Sequence, residues 1–175
     1  MRTTNMNSRS ESNKPHLQAV MEEGIGLSND NSIRMRNPLL ILQTALAALS
    51  DGRLSAVVEH FDDCFTFNDH ALTLEFTDKG RLIEFFEKSR ELFPDTTLEI
   101  VSMLGSGDHA IAEWKLAATQ TVSYGSIGYR FRVSLLGATI VHVENGRIVQ
   151  WSDYYDKTSS CRINLAAFFT DWIEY

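Results

Sequence analysis

The stretch SLLGATIVHVENGRIVQWSDYYD, Ser134–Asp156, contains two runs of alternating residue type on either side of an Asn-Gly pair. Asn-Gly, at 145–146, is the preferred sequence of a two-residue type I′ turn, so we predict a β-hairpin. The turn also fixes the register, because it leaves Glu144 directly opposite Arg147. These two side chains would form a cross-strand ion pair.

Counting outward from the turn predicts which side chains share one face of the hairpin. Side chains alternate between the two faces of a strand, so one face collects a mostly apolar and aromatic set that we expect to be buried. The predicted cross-strand pairs on that face are His142 with Val149, Ile140 with Trp151, and Ala138 with Asp153, and Tyr155 follows them. Asp153 is then a carboxyl group on an apolar wall, opposite a residue too small to fill the space. This arrangement predicts a pocket.

Composition narrows the class of protein. The chain has 175 residues and a net charge of −7, with no cluster of cations that would bind phosphates, so a nucleic acid partner is not expected. The run LLILQTALAAL has about 11 residues, too few to span a bilayer, so no membrane partner is expected. Cys64 and Cys161 are too few for a disulfide framework. With no apolar segment typical of a secretory signal, we expect a reduced, cytoplasmic protein.

The order of elements along the chain predicts the fold class. Residues 1–34 are polar and predict a disordered tail, whereas residues 35–175 predict a single domain. Helices are predicted over Pro38–Leu49, Leu54–Phe61, Lys79–Leu92 and, at the C-terminus, Asn164–Tyr175. Five strand candidates alternate from Thr97 onward: TLEIVSML, HAIAEWKLAATQTV, YRFRVSLL, ATIVHVE and RIVQWSDYY. Helices first and a meander afterwards predict an α+β fold in which a curved sheet wraps around the helices.

With these elements the chain resembles the SnoaL-like branch of the nuclear transport factor 2 superfamily, over about 37–156. The resemblance rests on ALAALSDGRLSAVVEHFDDCFTFND, on DKGRLIEFFEKSRELFP, and on the hairpin with its Gly, strand, Asn-Gly, strand and W-x-D-Y order. It implies a cone-shaped curved antiparallel sheet around N-terminal helices, also called cystatin-like, and a homodimer formed through the outer sheet face. Members include ketosteroid isomerase, limonene epoxide hydrolase, polyketide cyclases, dehydratases and non-catalytic domains, so the resemblance implies the fold rather than one activity.

Two positions carry over from these relatives. Asp153 matches a catalytic aspartate of the limonene epoxide hydrolases, and Asp69 matches the general base of the ketosteroid isomerases. Trp114 and Leu116 stand where the epoxide hydrolases place an Arg and an Asp, and Ala45 stands where the isomerases place an oxyanion-hole tyrosine. The resemblance therefore implies a different set of acids and bases in this chain.

The candidate catalytic residues are Asp153, Asp69 and His142. Burial on an apolar wall raises a carboxyl pKa, which suits proton transfer near neutral pH. Each residue also has a structural interpretation: Asp153 as a hydrogen-bond partner of a loop or of Tyr155, Asp69 as turn chemistry, and His142 as a satisfied core residue. His70, next to Asp69, is a weaker candidate.

The candidate substrate-binding residues are mostly aromatic. They are Trp114, Phe67, Leu116, Ile140, Trp151 and Tyr155. Aromatic walls would stack on a planar or terpenoid molecule, although plain core packing explains Trp114 equally well. Metal ligands at a recognisable spacing are absent from the sequence, so we expect no metal and no cofactor.

These observations predict an enzyme that uses carboxylate acid–base chemistry on a hydrophobic polyketide, steroid or terpenoid-like small molecule. The reaction would be an isomerisation, cyclisation, dehydration or epoxide opening. The alternative is a non-catalytic module of the same fold that binds an apolar ligand or a protein partner.

Overall fold

The computed structural model describes residues 37–124 and 127–157. The polar tail predicted over 1–34 and the helix predicted over Asn164–Tyr175 lie outside the described residues. The elements are α1 (Pro38–Ser50), α2 (Leu54–Val58), β1 (Phe61–Asp69), β2 (Leu74–Phe76), α3 (Lys79–Leu92), β3 (Thr97–Ser106), β4 (His109–Tyr124), β5 (Ile127–Glu144) and β6 (Arg147–Tyr155). In this part of the chain no helix has both the length and the hydrophobicity needed to cross a bilayer.

Side-chain caps set where the two long helices begin. The Asn37 carboxamide oxygen accepts a hydrogen bond from the backbone N–H of Leu39 at 3.0 Å, and Pro38 occupies the first turn, where no backbone donor is needed. At α3 the Asp78 carboxylate accepts from the backbone N–H of Arg81 at 2.9 Å. Each helix then turns one apolar face toward the sheet and the core.

The six strands form one curved sheet in the order β2-β1-β6-β5-β4-β3. Neighbouring strands are antiparallel, except that β1 pairs with β6 in parallel. The predicted α+β class is confirmed. The parallel pair matters for the site, because it sets the C-terminal end of β1 beside that of β6.

Two of the predicted strands are one continuous strand. YRFRVSLL and ATIVHVE join through Gly137 into β5. A Cβ atom on Gly137 would lie 2.4 Å from Trp114 Cη2 and 2.8 Å from the carbonyl oxygen of Tyr154. This glycine therefore does not break the strand but lets the Trp114 ring lie against the backbone.

The hairpin turn forms as predicted, but the register changes two residues beyond it. Asn145 and Gly146 both have positive φ, 51° and 84°, and Glu144 pairs with Arg147. Val143 then pairs with Ile148 and His142 with Gln150, so Val149 is the extra residue of a β-bulge. The predicted pairs beyond the bulge are therefore wrong by one residue, and Thr139, not Ala138, lies opposite Asp153.

Beyond the bulge, the side chains of β5 that share a face with Trp151 and Asp153 are the opposite set from the one predicted by counting from the turn. Val141 pairs with Trp151, and both are buried in the core. Trp151 stacks on Phe67, with ring centroids 6.0 Å apart, and also packs against Phe61. The inner face of the sheet is thus anchored by aromatic rings at the point where β1, β6 and β5 meet.

Candidate functional site

A cavity of about 190 Å³ lies between α1, α3 and the inner face of the sheet. Most of its wall is apolar. The apolar lining includes Leu46, Phe85, Phe86, Leu98, Val133 and Leu135. At its polar end two carboxyl side chains, Asp69 and Asp153, border the same space. Arg90 and Ser89, from the last turns of α3, also belong to the lining.

The two oxygens of Asp153 have different surroundings. An indole N–H only donates, so Trp114 Nε1 donates to Thr139 Oγ1 at 2.9 Å. The Thr139 hydroxyl then donates its own proton to Asp153 Oδ1 at 2.5 Å, and Trp151 Nε1 donates to the same oxygen at 2.8 Å. The described residues provide no hydrogen bond to Oδ2. We infer that a proton bound by Asp153 is held on Oδ2.

Asp69 is buried, and hydrogen bonds satisfy both of its oxygens. Oδ1 accepts from the backbone N–H of Leu72 at 2.8 Å, and Oδ2 accepts from the Tyr155 hydroxyl at 2.8 Å. Asp69 and Asp153 are direct partners in the parallel pairing of β1 with β6. Two carboxyl groups are thus neighbours in one apolar site, where both cannot easily be ionised together.

Burial raises the pKa of Asp153 to about 7. The negative charge of Asp69 contributes to this rise, whereas the hydrogen bonds from Thr139 and Trp151 oppose it. Burial also raises the pKa of Asp69, against the hydrogen bonds from Leu72 and Tyr155. Because donors satisfy both oxygens of Asp69 but only one of Asp153, we infer that Asp69 ionises first and Asp153 retains the proton.

The pKa of Tyr155 is raised by its burial and by the charge of Asp69. Its hydroxyl therefore stays protonated near neutral pH and can donate to Asp69. A pKa of about 7 would allow the Asp153 carboxyl group to take or give a proton near neutral pH without a large energetic cost.

The structure places most of the predicted wall residues at the cavity. Trp114, Leu116, Trp151 and Tyr155 border it together with the two acids. Phe67 does not; it is buried beneath Trp151, in the core. Whether these side chains bind a substrate stays a prediction.

His142 and Ile140 require a correction. The bulge at Val149 turns both side chains to the outer face of the sheet, so the prediction that they share a face with Asp153 is wrong. His142 instead stacks on His109, its partner across β4 and β5, and contacts Asp108. A histidine therefore does not assist Asp153 from this strand.

Thr139 is the side chain at the cavity that sequence reasoning misses. It is fully buried and donates to Asp153, but its part depends on the bulge. Alternation counted from the turn sends Thr139 to the opposite face, and both Ile148 and Val149 are apolar, so nothing in the sequence reveals which of them is the extra residue.

A curved sheet over helices, enclosing an apolar cavity with acids at one end, is the nuclear transport factor 2-like class of fold. The model of the SnoaL-like domain family matches residues 42–151. The match spans more than half of the chain, and the chain belongs to this family. No curated protein matches the sequence.

Solved structures share the fold at low sequence identity. A protein designated a SnoaL-like polyketide cyclase from Shewanella putrefaciens is 15% identical, with a TM-score of 0.59 over 69% of this chain and 80% of its own. IdmH of Streptomyces antibioticus, designated a polyketide cyclase, is 14% identical, with a TM-score of 0.61 over 70% of this chain and 94% of its own. An epoxide hydrolase of M. tuberculosis, of the LEH-like type, is 17% identical, with a TM-score of 0.56 over 70% of this chain and 85% of its own.

Proposed function

We propose that this chain is an enzyme in which Asp153 transfers a proton to or from a hydrophobic polyketide, steroid or terpenoid-like molecule. The reaction class is isomerisation, cyclisation, dehydration or the opening of an epoxide by water. The observation that carries the proposal is the asymmetry of Asp153, which borders an apolar cavity: two donors hold Oδ1, while Oδ2 receives none from the described residues. A pKa of about 7 makes this carboxyl an acid or a base at neutral pH.

Asp69 and Tyr155 would support the proton transfer without themselves exchanging a proton with the substrate. Burial raises the pKa of Asp153 most and the negative charge of Asp69 adds to the rise, so Asp153 is a stronger base than an ordinary aspartate. The Tyr155 hydroxyl fixes Asp69 in place at 2.8 Å. A positioned acid or base contributes roughly 10²–10⁴-fold to a rate, so the substrate should be an activated one, such as a carbonyl compound with an acidic C–H or an epoxide.

The size of the cavity bears on the substrate. A dry apolar cavity of about 150 Å³ can hold benzene. A space of about 190 Å³ would therefore enclose the reacting ring or chain of a larger molecule rather than a whole polycyclic compound.

A non-catalytic ligand-binding module is the second candidate. It is favoured by Trp114, which fills the wall position where the epoxide hydrolases that the sequence resembles place an arginine, and whose N–H is satisfied internally by Thr139. Such a module would bind an apolar ligand in the same cavity and leave it unchanged.

The test compares the wild-type chain with D153N on a panel of cyclic ketones, epoxides and polyketide precursors. Product formation is followed by mass spectrometry, and binding by tryptophan fluorescence. The amide introduced by D153N keeps an oxygen that can accept the hydrogen bonds from Thr139 and Trp151, but it cannot take up or release a proton near pH 7. The variant should therefore bind but not turn over.

Two outcomes would count against this function. Binding with no turnover by the wild type on any class of the panel would favour the module. Full turnover by D153N would contradict the proposal, because the proton would then pass through another group.

A further inference from the structure

Two histidines and an aspartate meet on the outer face of the sheet, away from the cavity. His109 and His142 are cross-strand partners on β4 and β5, and their rings are stacked with centroids 4.5 Å apart and planes 1° apart. Asp108, in the turn before β4, places Oδ1 at 2.5 Å from His109 Nδ1 and Oδ2 at 3.2 Å from His142 Nε2. The Asp108, His109 and His142 side chains are called here the outer cluster.

The backbone holds the outer cluster in position. Gly107 has a φ of 60°, which permits the tight turn, and the carbonyl oxygen of Asp108 accepts a hydrogen bond from the N–H of Val143 at 2.8 Å. The backbone of Asp108 is thus fixed relative to β5, the strand that carries His142.

We propose that the outer cluster binds a divalent transition-metal ion, of which zinc is the best match. One ligand atom from each of its three residues lies within 4.8 Å of the others. Zinc takes imidazole nitrogens and carboxylate oxygens at about 2.0–2.2 Å, so the three ligand atoms would move closer together and the two stacked rings would tilt toward one ion. Magnesium and calcium prefer oxygen ligands alone and fit two imidazoles poorly.

A fourth position remains for water or for a nearby acid. Glu144 Oε1 lies 3.8 Å from His142 Nε2, two residues along β5 on the same face. The side chains of Asp108 and His109 are more than half exposed, and that of His142 is one-quarter exposed, so an ion has access from solvent. A bound ion would clamp the β3–β4 turn to β5.

A metal site and a simple hydrogen-bonded trio of the same side chains differ in whether they bind zinc. Hydrogen bonds from two imidazoles to one carboxylate need no ion, and that trio would show no preference for zinc. A metal site needs all three ligands together, and the loss of either histidine would weaken it. The outer cluster shares no residue with the cavity lining, so this inference stands apart from the proposed enzymatic function.

The test uses the full-length chain without an affinity tag, stripped of metal by a chelator and titrated with zinc chloride in a calorimeter. We expect one zinc ion per chain, and binding that is at least about 10-fold weaker in H109Q and in H142Q. H70Q is the matched control, because His70 stacks on Tyr154 with ring centroids 4.3 Å apart and is not part of the outer cluster. Its zinc affinity should equal that of the wild type.

Circular dichroism first establishes that each variant is folded. Zinc binding by the wild type that is no tighter than that of the folded H109Q/H142Q double variant would overturn the proposal. Equal weakening in H70Q would overturn it as well, because the ion would then lie elsewhere.

Discussion

At the level of single residues, the chemistry of Asp153 depends on partners that are distant in sequence. Thr139 lies opposite it on β5, Trp114 holds the Thr139 oxygen from β4, and Asp69 lies beside it on β1. The sequence predicts Asp153 as a candidate because it lies on an apolar strand face, and the family resemblance implies Asp69. It does not predict the hydroxyl between Trp114 and Asp153, because that contact depends on a one-residue change of register.

Thr139 gives a direct test of this hydrogen-bond chain. In T139V the carboxylate of Asp153 loses a donor, so its pKa should rise above its value in the wild type. The Trp114 N–H also loses its buried acceptor, which should cost about 1–3 kcal/mol of stability. T139S retains the hydroxyl and is the control. The pKa is followed by the pH dependence of turnover or by NMR, and an unchanged pKa in T139V would contradict the assigned chain.

At the level of secondary structure, the starts of the two long helices and the hairpin turn follow from local signals, but the register does not. The caps at Asn37 and Asp78 and the Asn-Gly turn involve neighbouring residues, and each has a clear sequence pattern. A bulge is different, because Val149 becomes the extra residue only through packing of Ile148 and Trp151 into the same core. Because of the bulge, His142 lies in the outer cluster and not in the predicted pocket.

Gly137 tests the close contact within the sheet. The Cβ atom of G137A would meet the Trp114 ring at 2.4 Å, so the strand or the ring must move. We expect a loss of about 1–3 kcal/mol in the free energy of unfolding, measured by urea denaturation. The loss should shrink in a W114F background, where the ring is smaller. An equal loss in both backgrounds would show that the Trp114 ring is not the obstacle.

At the level of the whole molecule, one raised pKa makes stability depend on pH. Asp153 binds its proton near pH 7 in the folded chain but near pH 3.8 when unfolded. Its contribution to stability is therefore complete below about pH 4 and is lost as the pH rises through 7. D153N lacks this loss, so it should gain stability relative to the wild type between pH 5 and pH 8, by more than about 1 kcal/mol. Parallel stability curves for the two chains would contradict this expectation.

The outer sheet face carries exposed apolar side chains that suit the homodimer implied by the family resemblance. Leu136 is 64% exposed and Leu104 is 72% exposed, and Ile111 and Tyr154 lie on the same face. We propose that two chains pair through this face, and that L136K gives a monomer in sedimentation experiments. L40K is the matched control, because Leu40 is an exposed apolar residue on α1. A monomeric wild type, or dissociation caused equally by L40K, would contradict this interface.

The most direct measurement is the pKa of the Asp153 carboxyl group, obtained by NMR titration of the ¹³C-labelled chain with D153N to assign the signal. We predict a midpoint near pH 7, because a dry wall and a neighbouring carboxylate both disfavour ionisation. A midpoint near pH 4, the value of an aspartate in water, would show that the Asp153 carboxyl group is solvated. It would contradict the claim that Asp153 is tuned for proton transfer in the cavity.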